Sequence, residues 1–241
     1  MKNLVLVGGA GGIGRSLANR AFDEGWEVTV MDLETSITKH PPKKGIETRN
    51  IDLSDHLSIS KAFKGFKSLS GLVNLAGFMH GLNSLEDITN EEFDEVINVN
   101  LRGAFIVAKE AIPLLKSNGG SMVNVVSGLA SNVRPNYGIY GVSKAGLINL
   151  TKTLALEAAP KVRVNAVGPS AVDTAFLRGG TGRSTENEPI TLDIENYTKI
   201  TPLARIAVPD DIVGPIMFLL GPDSKFMTGQ TLWVNGGGYM P

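Results

Sequence analysis

Tyr140 and Lys144 stand four residues apart, a spacing that brings two side chains onto one face of a helix as neighbours. A phenol ionises near about pH 10, so it exchanges a proton near neutrality only where its surroundings favour the phenolate. Lys144 supplies a fixed positive charge for that purpose. Tyrosine and lysine at this spacing also occur on ordinary helices, and the pair gains meaning only from its company. Ser127, thirteen residues before Tyr140, ends an apolar run with strand character, from which its hydroxyl can donate to a carbonyl or alkoxide oxygen. Serine at a strand end is also common turn chemistry. Together the three side chains fit proton exchange with a substrate oxygen.

A second set of residues lies near the N-terminus. Gly8, Gly12 and Gly14 follow a short apolar run and open a stretch of helical period, with Ile13 between the last two. Glycines there let backbone approach a pyrophosphate while the N–H groups at the helix start face its charge. Such a turn can also form without a ligand. Asp32 sharpens the reading: it ends the next apolar run, eighteen residues past Gly14, where a carboxylate accepts hydrogen bonds from ribose hydroxyls and repels a 2'-phosphate. This favours NAD over NADP, although the Arg15 guanidinium is a possible partner for a 2'-phosphate. An oxidised nicotinamide would add a second positive charge beside Tyr140.

The elements that must position these residues alternate along the chain. Short apolar runs over 4–7, 27–31, 45–50, 71–74, 121–126, 163–167 and 231–234 read as buried strands. Stretches over 13–23, 57–66, 91–116, 139–158 and 209–220 read as helices, the last with Asp210 and Asp211 in its first turn and the third kinked or ended by Pro113. The alternation predicts a single α/β domain with a doubly wound parallel sheet of seven strands and helices on both faces. The segment 175–200, with Gly179, Gly180, Gly182 and Pro189 among polar residues, reads as a substrate lid.

Composition narrows the function. With 241 residues, 42% of them hydrophobic, the chain can bury a full core, and a net charge of -1 gives no footprint for nucleic acid or an anionic membrane. A small-molecule partner is favoured. There is no cysteine, which excludes disulfides, thiolate metal sites and a thiol nucleophile. The N-terminal apolar run is broken by glycine far short of a membrane span, and the chain reads as cytoplasmic. His40, His56 and His80 lack metal-ligand spacing, so no metal is assigned.

In their order, these motifs resemble the short-chain dehydrogenase/reductases over essentially the whole chain. Residues 7–14 are similar to the family's TGxxxGIG turn, and Asn74, Leu75, Ala76 and Gly77 to its NNAG strand end. Asn100 to Gly103 resemble the pattern whose asparagine supports a water linking the catalytic lysine to solvent. Ser127, Tyr140 and Lys144 match the serine and the YxxxK pair, with Tyr137 outside the pattern. The resemblance implies substrate polarisation by Ser127, proton transfer by Tyr140, and ribose binding with pKa lowering by Lys144. Asp52 and Leu53 resemble the adenine-contacting pair, and the segment from Pro169 to Thr174 the PGxxxT loop, with Val172 and Thr174 as nicotinamide contacts.

The chain departs from those patterns at Val7, Leu75, Ser170 and Asn235. The implied activity is interconversion of a secondary alcohol and a ketone with NAD; a non-catalytic NAD(H)-sensing protein is the alternative. Phe78, Met79, Leu129, Val133, Asn136 and Phe176 are candidate substrate contacts, and Arg178 and Arg183 candidate partners for an anionic substrate group. The resemblance also implies a homo-oligomer, tetramer or dimer, with the 231–241 segment packing against another subunit.

Overall fold

Leu4 and Leu6 face one side of the first strand and Val5 and Val7 the other, and all four are fully buried. Both faces of the sheet are therefore covered, as a parallel sheet requires. The computed structural model describes residues 2–179, 189–190 and 192–240. Its strands are β1 (Asn3–Val7), β2 (Glu27–Asp32), β3 (Glu47–Asn50), β4 (Gly71–Asn74), β5 (Ser121–Val125), β6 (Arg163–Pro169) and β7 (Thr231–Val234). They form one sheet in the order β3-β2-β1-β4-β5-β6-β7, every pairing parallel.

Helices α1 (Gly12–Asp23) and α8 (Pro209–Leu220) cover one face, where Leu17, Ala21, Ile212 and Ile216 pack against Leu4, Leu6, Val30 and Val73. Helices α3 (His56–Phe63), α5 (Ala104–Lys116) and α6 (Gly138–Ala158) cover the other, where Ile59, Val107, Leu115 and Ala155 meet Val5, Val7, Leu72 and Met122. The chain runs outward from β1 to β3 and then crosses back to β4, on the other side of β1. The connections leaving β1 and β4 diverge there, which opens a crevice at the carboxyl ends of the strands.

The elements differ from the sequence expectation in instructive places. The helix expected over 91–116 is two helices, α4 (Asn90–Ile97) and α5, joined by a π-helical segment, Asn98–Gly103. Pro113 does not end α5, which runs on to Lys116. Pro113 removes one donor near the end of that helix, and the burial of Leu115 holds the last turn in place. The strand expected over 45–50 starts at Glu47, because Gly45 turns the chain at φ +101°. A short helix, α2 (Glu34–Lys39), follows β2, and another, α7 (Ile194–Ile200), lies within the expected lid. No helix among the described residues is long and apolar enough to cross a membrane.

Candidate active site

The glycine turn between β1 and α1 is built for close approach. A methyl group at Gly12 would stand 2.5 Å from Thr174 Cγ2, so the turn lies directly against the loop that follows β6. Asp32, at the end of β2, accepts hydrogen bonds from Ala10 N (2.9 Å) and Leu33 N (2.8 Å), which fix its carboxylate beside the turn. Burial pushes the Asp32 carboxyl above the usual carboxylate range, and the two backbone N–H groups oppose that rise. Asp52 accepts from Ser54 N and Oγ at 2.9 and 2.7 Å in the loop after β3.

Ser127, Tyr140 and Lys144 converge from β5 and α6. Burial pushes the Tyr140 phenol up to about 12, while its hydrogen bond with the Ser127 side chain pulls the other way. Lys144 is 3% exposed and donates from Nζ to Val125 O at 3.0 Å; burial lowers its ammonium to about 8. The expectation of a Tyr140 phenol lowered by its neighbour is thus reversed in the protein by itself. The reason is burial: the phenol is desolvated, and the Lys144 ammonium, 5.8 Å from its ring centroid and bonded to Val125 O, does not offset that cost.

Asn100 lies under this group. Its Oδ1 accepts from Phe78 N (3.0 Å), and its Nδ2 donates to Phe78 O (2.8 Å) and Ser143 Oγ (3.1 Å). Gly77 permits the arrangement: a methyl group there would stand 3.0 Å from Lys144 Nζ and 3.2 Å from Asn100 Oδ1.

One cleft of about 980 Å³ joins the two ends of the site, from Gly8, Gly14 and Asp32 to Ser127, Tyr140 and Lys144. A family profile described as Enoyl-(Acyl carrier protein) reductase matches residues 8–239. The chain belongs to the short-chain dehydrogenase/reductase family, whose members are nicotinamide-dependent oxidoreductases. This short-chain dehydrogenase/reductase is 32% identical over 252 residues to the 3-oxoacyl-[acyl-carrier-protein] reductase FabG of Staphylococcus aureus, covering 99% of this chain and 98% of that one. It is 34% identical over 247 residues to the 4-formylbenzenesulfonate dehydrogenase TsaC1/TsaC2 of Comamonas testosteroni, covering 97% and 96%.

Among solved structures it superposes on the ligand-free aldohexose dehydrogenase of Thermoplasma acidophilum with a TM-score of 0.88 at 31% identity, over 100% of this chain and 95% of that one. A 3-ketoacyl-(acyl-carrier-protein) reductase from Brucella melitensis, solved with NADH, gives the same TM-score of 0.88 at 28% identity, over 99% and 98%.

Most residues singled out in this short-chain dehydrogenase/reductase border the one cleft: Ile13, Leu53, Ala76, Phe78, Met79, Leu129, Pro169, Val172, Thr174 and Phe176 do so with the groups above. Asn74 does not; it is buried in β4, where its Oδ1 accepts from Ala76 N at 3.3 Å. Val133 is 79% exposed and lies off the cleft, although its neighbours Asn132 and Arg134 in the loop before α6 border it. Asn136, at φ +68°, borders a smaller recess beside His80 and Tyr137 instead. Arg178 bonds to Asp173 Oδ1 (3.3 Å) and Thr174 O (3.1 Å), so it braces its own turn, and Arg183 lies outside the described residues.

Of the departures from the family patterns, Val7 and Leu75 pack into the two core layers, and Ser170 and Asn235 border the cleft. Asn235 braces the chain's last turn, donating to Tyr239 O and accepting from Gly237 N. Tyr137, Tyr197 and Tyr239 also border the cleft, and Ser143 supports Asn100 beneath it. No motif marks these four residues; Tyr197 and Ser143 are placed by hydrogen bonds to distant segments, at Ala171 N and Asn100 Nδ2.

Proposed function

We propose that this short-chain dehydrogenase/reductase interconverts a secondary alcohol and a ketone with NAD(H), and that Tyr140 exchanges the proton. The observation that carries the reading is the convergence of the Ser127 and Tyr140 hydroxyls above Lys144, in the same cleft as the glycine turn and Asp32. The site fits a dinucleotide: the cleft runs from the backbone of Gly8, Gly12 and Gly14 to Tyr140 and Lys144, and Asp32 is fixed where an adenosine ribose would lie. When bound, the nicotinamide accepts or supplies the hydride. Gly8, Gly12, Ile13 and Gly14 would hold the pyrophosphate, Asp52 and Leu53 would border the adenine, and Val172 and Thr174 would hold the carboxamide. Support for NAD over NADP comes from the Asp32 carboxylate, which would repel a 2'-phosphate.

Ser127 and Tyr140 hold the substrate oxygen between them. In the oxidative direction Tyr140 takes the hydroxyl proton as the carbinol carbon loses hydride; in the reductive direction it returns the proton to the new alkoxide. Lys144 binds the nicotinamide ribose, and its positive charge favours the phenolate. Asn100 anchors the Phe78 backbone and the start of α6, which fixes the floor of the site. Phe78, Met79, Leu129 and Phe176 form a mostly apolar substrate wall, with the Phe176 ring 5.6 Å from that of Tyr140. Of the lid expected over 175–200, the described residues Phe176, Tyr197 and Ile200 border the same cleft and would cover this wall, while 180–188 and 191 lie outside the described residues; the chain would assemble as a dimer or tetramer.

The test is to titrate the protein with NADH and NADPH by fluorescence, then to follow absorbance of the reduced cofactor across a panel of secondary alcohols. NADH preference with turnover is expected. Tight NADH binding with no turnover on a broad panel would instead favour a sensing role.

A further inference from the structure

Helix α7 borders the substrate side of the cleft through Tyr197 and Ile200, yet none of its residues is buried. A seven-residue helix has little stability of its own, so its place on the body depends on a few specific contacts. At its C-terminal end Thr201 is buried and donates from Oγ1 to Tyr197 O at 2.8 Å, and Leu203 N bonds to Gly236 O at 3.1 Å. Along its length the Tyr197 hydroxyl accepts a 3.2 Å hydrogen bond from Ala171 N.

Ala171 belongs to the loop that carries Val172 and Thr174. The other side of that loop is stitched to Ala207, which donates from N to Ala171 O (3.2 Å) and accepts at O from Asp173 N (2.9 Å). The two polar backbone groups of Ala171 thus go to two different segments, and Tyr197 holds the one facing α7. We propose that Tyr197 is a positioning residue that ties the substrate wall to the nicotinamide loop, so that cofactor bound against the loop also orders α7. The inference rests on the reading of that loop as the nicotinamide site. Through the same linkage, anything that orders α7 tightens the loop by an equal factor.

The experiment is hydrogen exchange of the full chain with and without saturating NADH, on the wild type and Tyr197→Phe, which keeps the ring and deletes the acceptor. In the wild type NADH should slow exchange in both 170–174 and 194–200. In Tyr197→Phe it should still slow the loop, while the protection it confers on 194–200 falls about three- to tenfold, the range one hydrogen bond allows. Once a substrate is identified, KM should rise by a similar factor with kcat nearly unchanged. Full NADH-induced protection of 194–200 in Tyr197→Phe would overturn the proposal, as would a wild type in which NADH protects the loop alone. Failure of NADH to bind or protect either segment would overturn the nicotinamide reading itself, and this inference with it.

Discussion

Asn100 donates to Ser143 Oγ across 3.1 Å, and Ser143 is the residue immediately before Lys144. The bond ties the π-helical segment to α6 at the turn that carries both Tyr140 and Lys144. Its strength is shared with the two bonds from Asn100 to the Phe78 backbone, all of them buried. Asn100→Ala should therefore strand Phe78 N and O, at about 1–3 kcal/mol for each group left unpaired. Ser143→Ala leaves the Phe78 clamp intact and strands one N–H of Asn100, so it should lose about 1–3 kcal/mol, for one group instead of two. Denaturant unfolding of both variants checks this, and equal losses would contradict it.

Tyr140→Phe keeps the ring packed against Phe176 and removes the hydroxyl that exchanges the proton. Turnover should fall by about 10²- to 10⁴-fold, the usual contribution of a positioned acid or base, with NADH affinity little changed. Wild-type turnover in this variant would remove Tyr140 from the mechanism.

Lys144 makes stability depend on pH in a definite direction. Its ammonium is lowered from 10.5 to about 8 in the folded protein, so between those values the unfolded chain holds a proton that the folded one has released. Stability relative to Lys144→Met should then rise with pH from about 8 towards 10.5, by on the order of 3 kcal/mol. Tyr140 acts in the opposite sense at higher pH: raised from 10.0 to about 12, it keeps its proton in the fold and costs stability across that window. Unfolding free energies measured at pH 7, 8, 9 and 10 would settle the first effect before the second begins; a flat difference would refute it.

Gly12→Ala should drive a methyl group into Thr174, whose Cγ2 stands 2.5 Å from that position. Overpacking of this kind costs about 1–3 kcal/mol and should weaken NADH binding by separating the glycine turn from the loop after β6. Adding Thr174→Ser removes the nearest methyl and should restore part of the loss. A double variant no better than Gly12→Ala would show that the contact is not the cause.

Asp32→Ala should raise the affinity ratio of NADPH to NADH by about tenfold or more, because the charge facing a 2'-phosphate is gone. Both cofactors should bind somewhat less well, since Ala10 N and Leu33 N lose their acceptor. Fluorescence titration gives the ratio, and an unchanged value would end the argument for Asp32 as the selector.

Legibility in the sequence followed physical range. Leu4 to Val7 alternate between two buried faces, so period and composition together mark the strand, and the same holds for the other central strands but not for the polar edge strand β3. The Tyr140–Lys144 spacing was equally plain, because it is set within one helix. The π-helical segment was not legible, since its residues read as ordinary helix and the change is in the hydrogen-bond pattern. Val133 differs for a related reason: the loop before α6 does border the cleft, and sequence position does not fix which of its side chains point away from it. Tyr197 escaped notice because its partner, Ala171 N, lies twenty-six residues away and is a backbone group with no side-chain signature. The pKa direction at Tyr140 needed the burial of both partners, which no spacing reports.

The π-helical segment Asn98–Gly103 lies between α4 and α5 with no break in the chain's helical course. A π turn closes on i→i+5 bonds where an α turn closes on i→i+4, so the segment takes up one residue more than regular helix would. Deleting Val99 and letting the segment close as regular helix would thus leave α4 and α5 nearly in their present phase, with Val96 still facing the core. What would change is the wide turn itself, which sets Asn100 between the Phe78 backbone and Ser143. A deletion here should therefore be felt in the floor of the cleft far more than in the packing of the helices on either side, although Val99 does no chemistry.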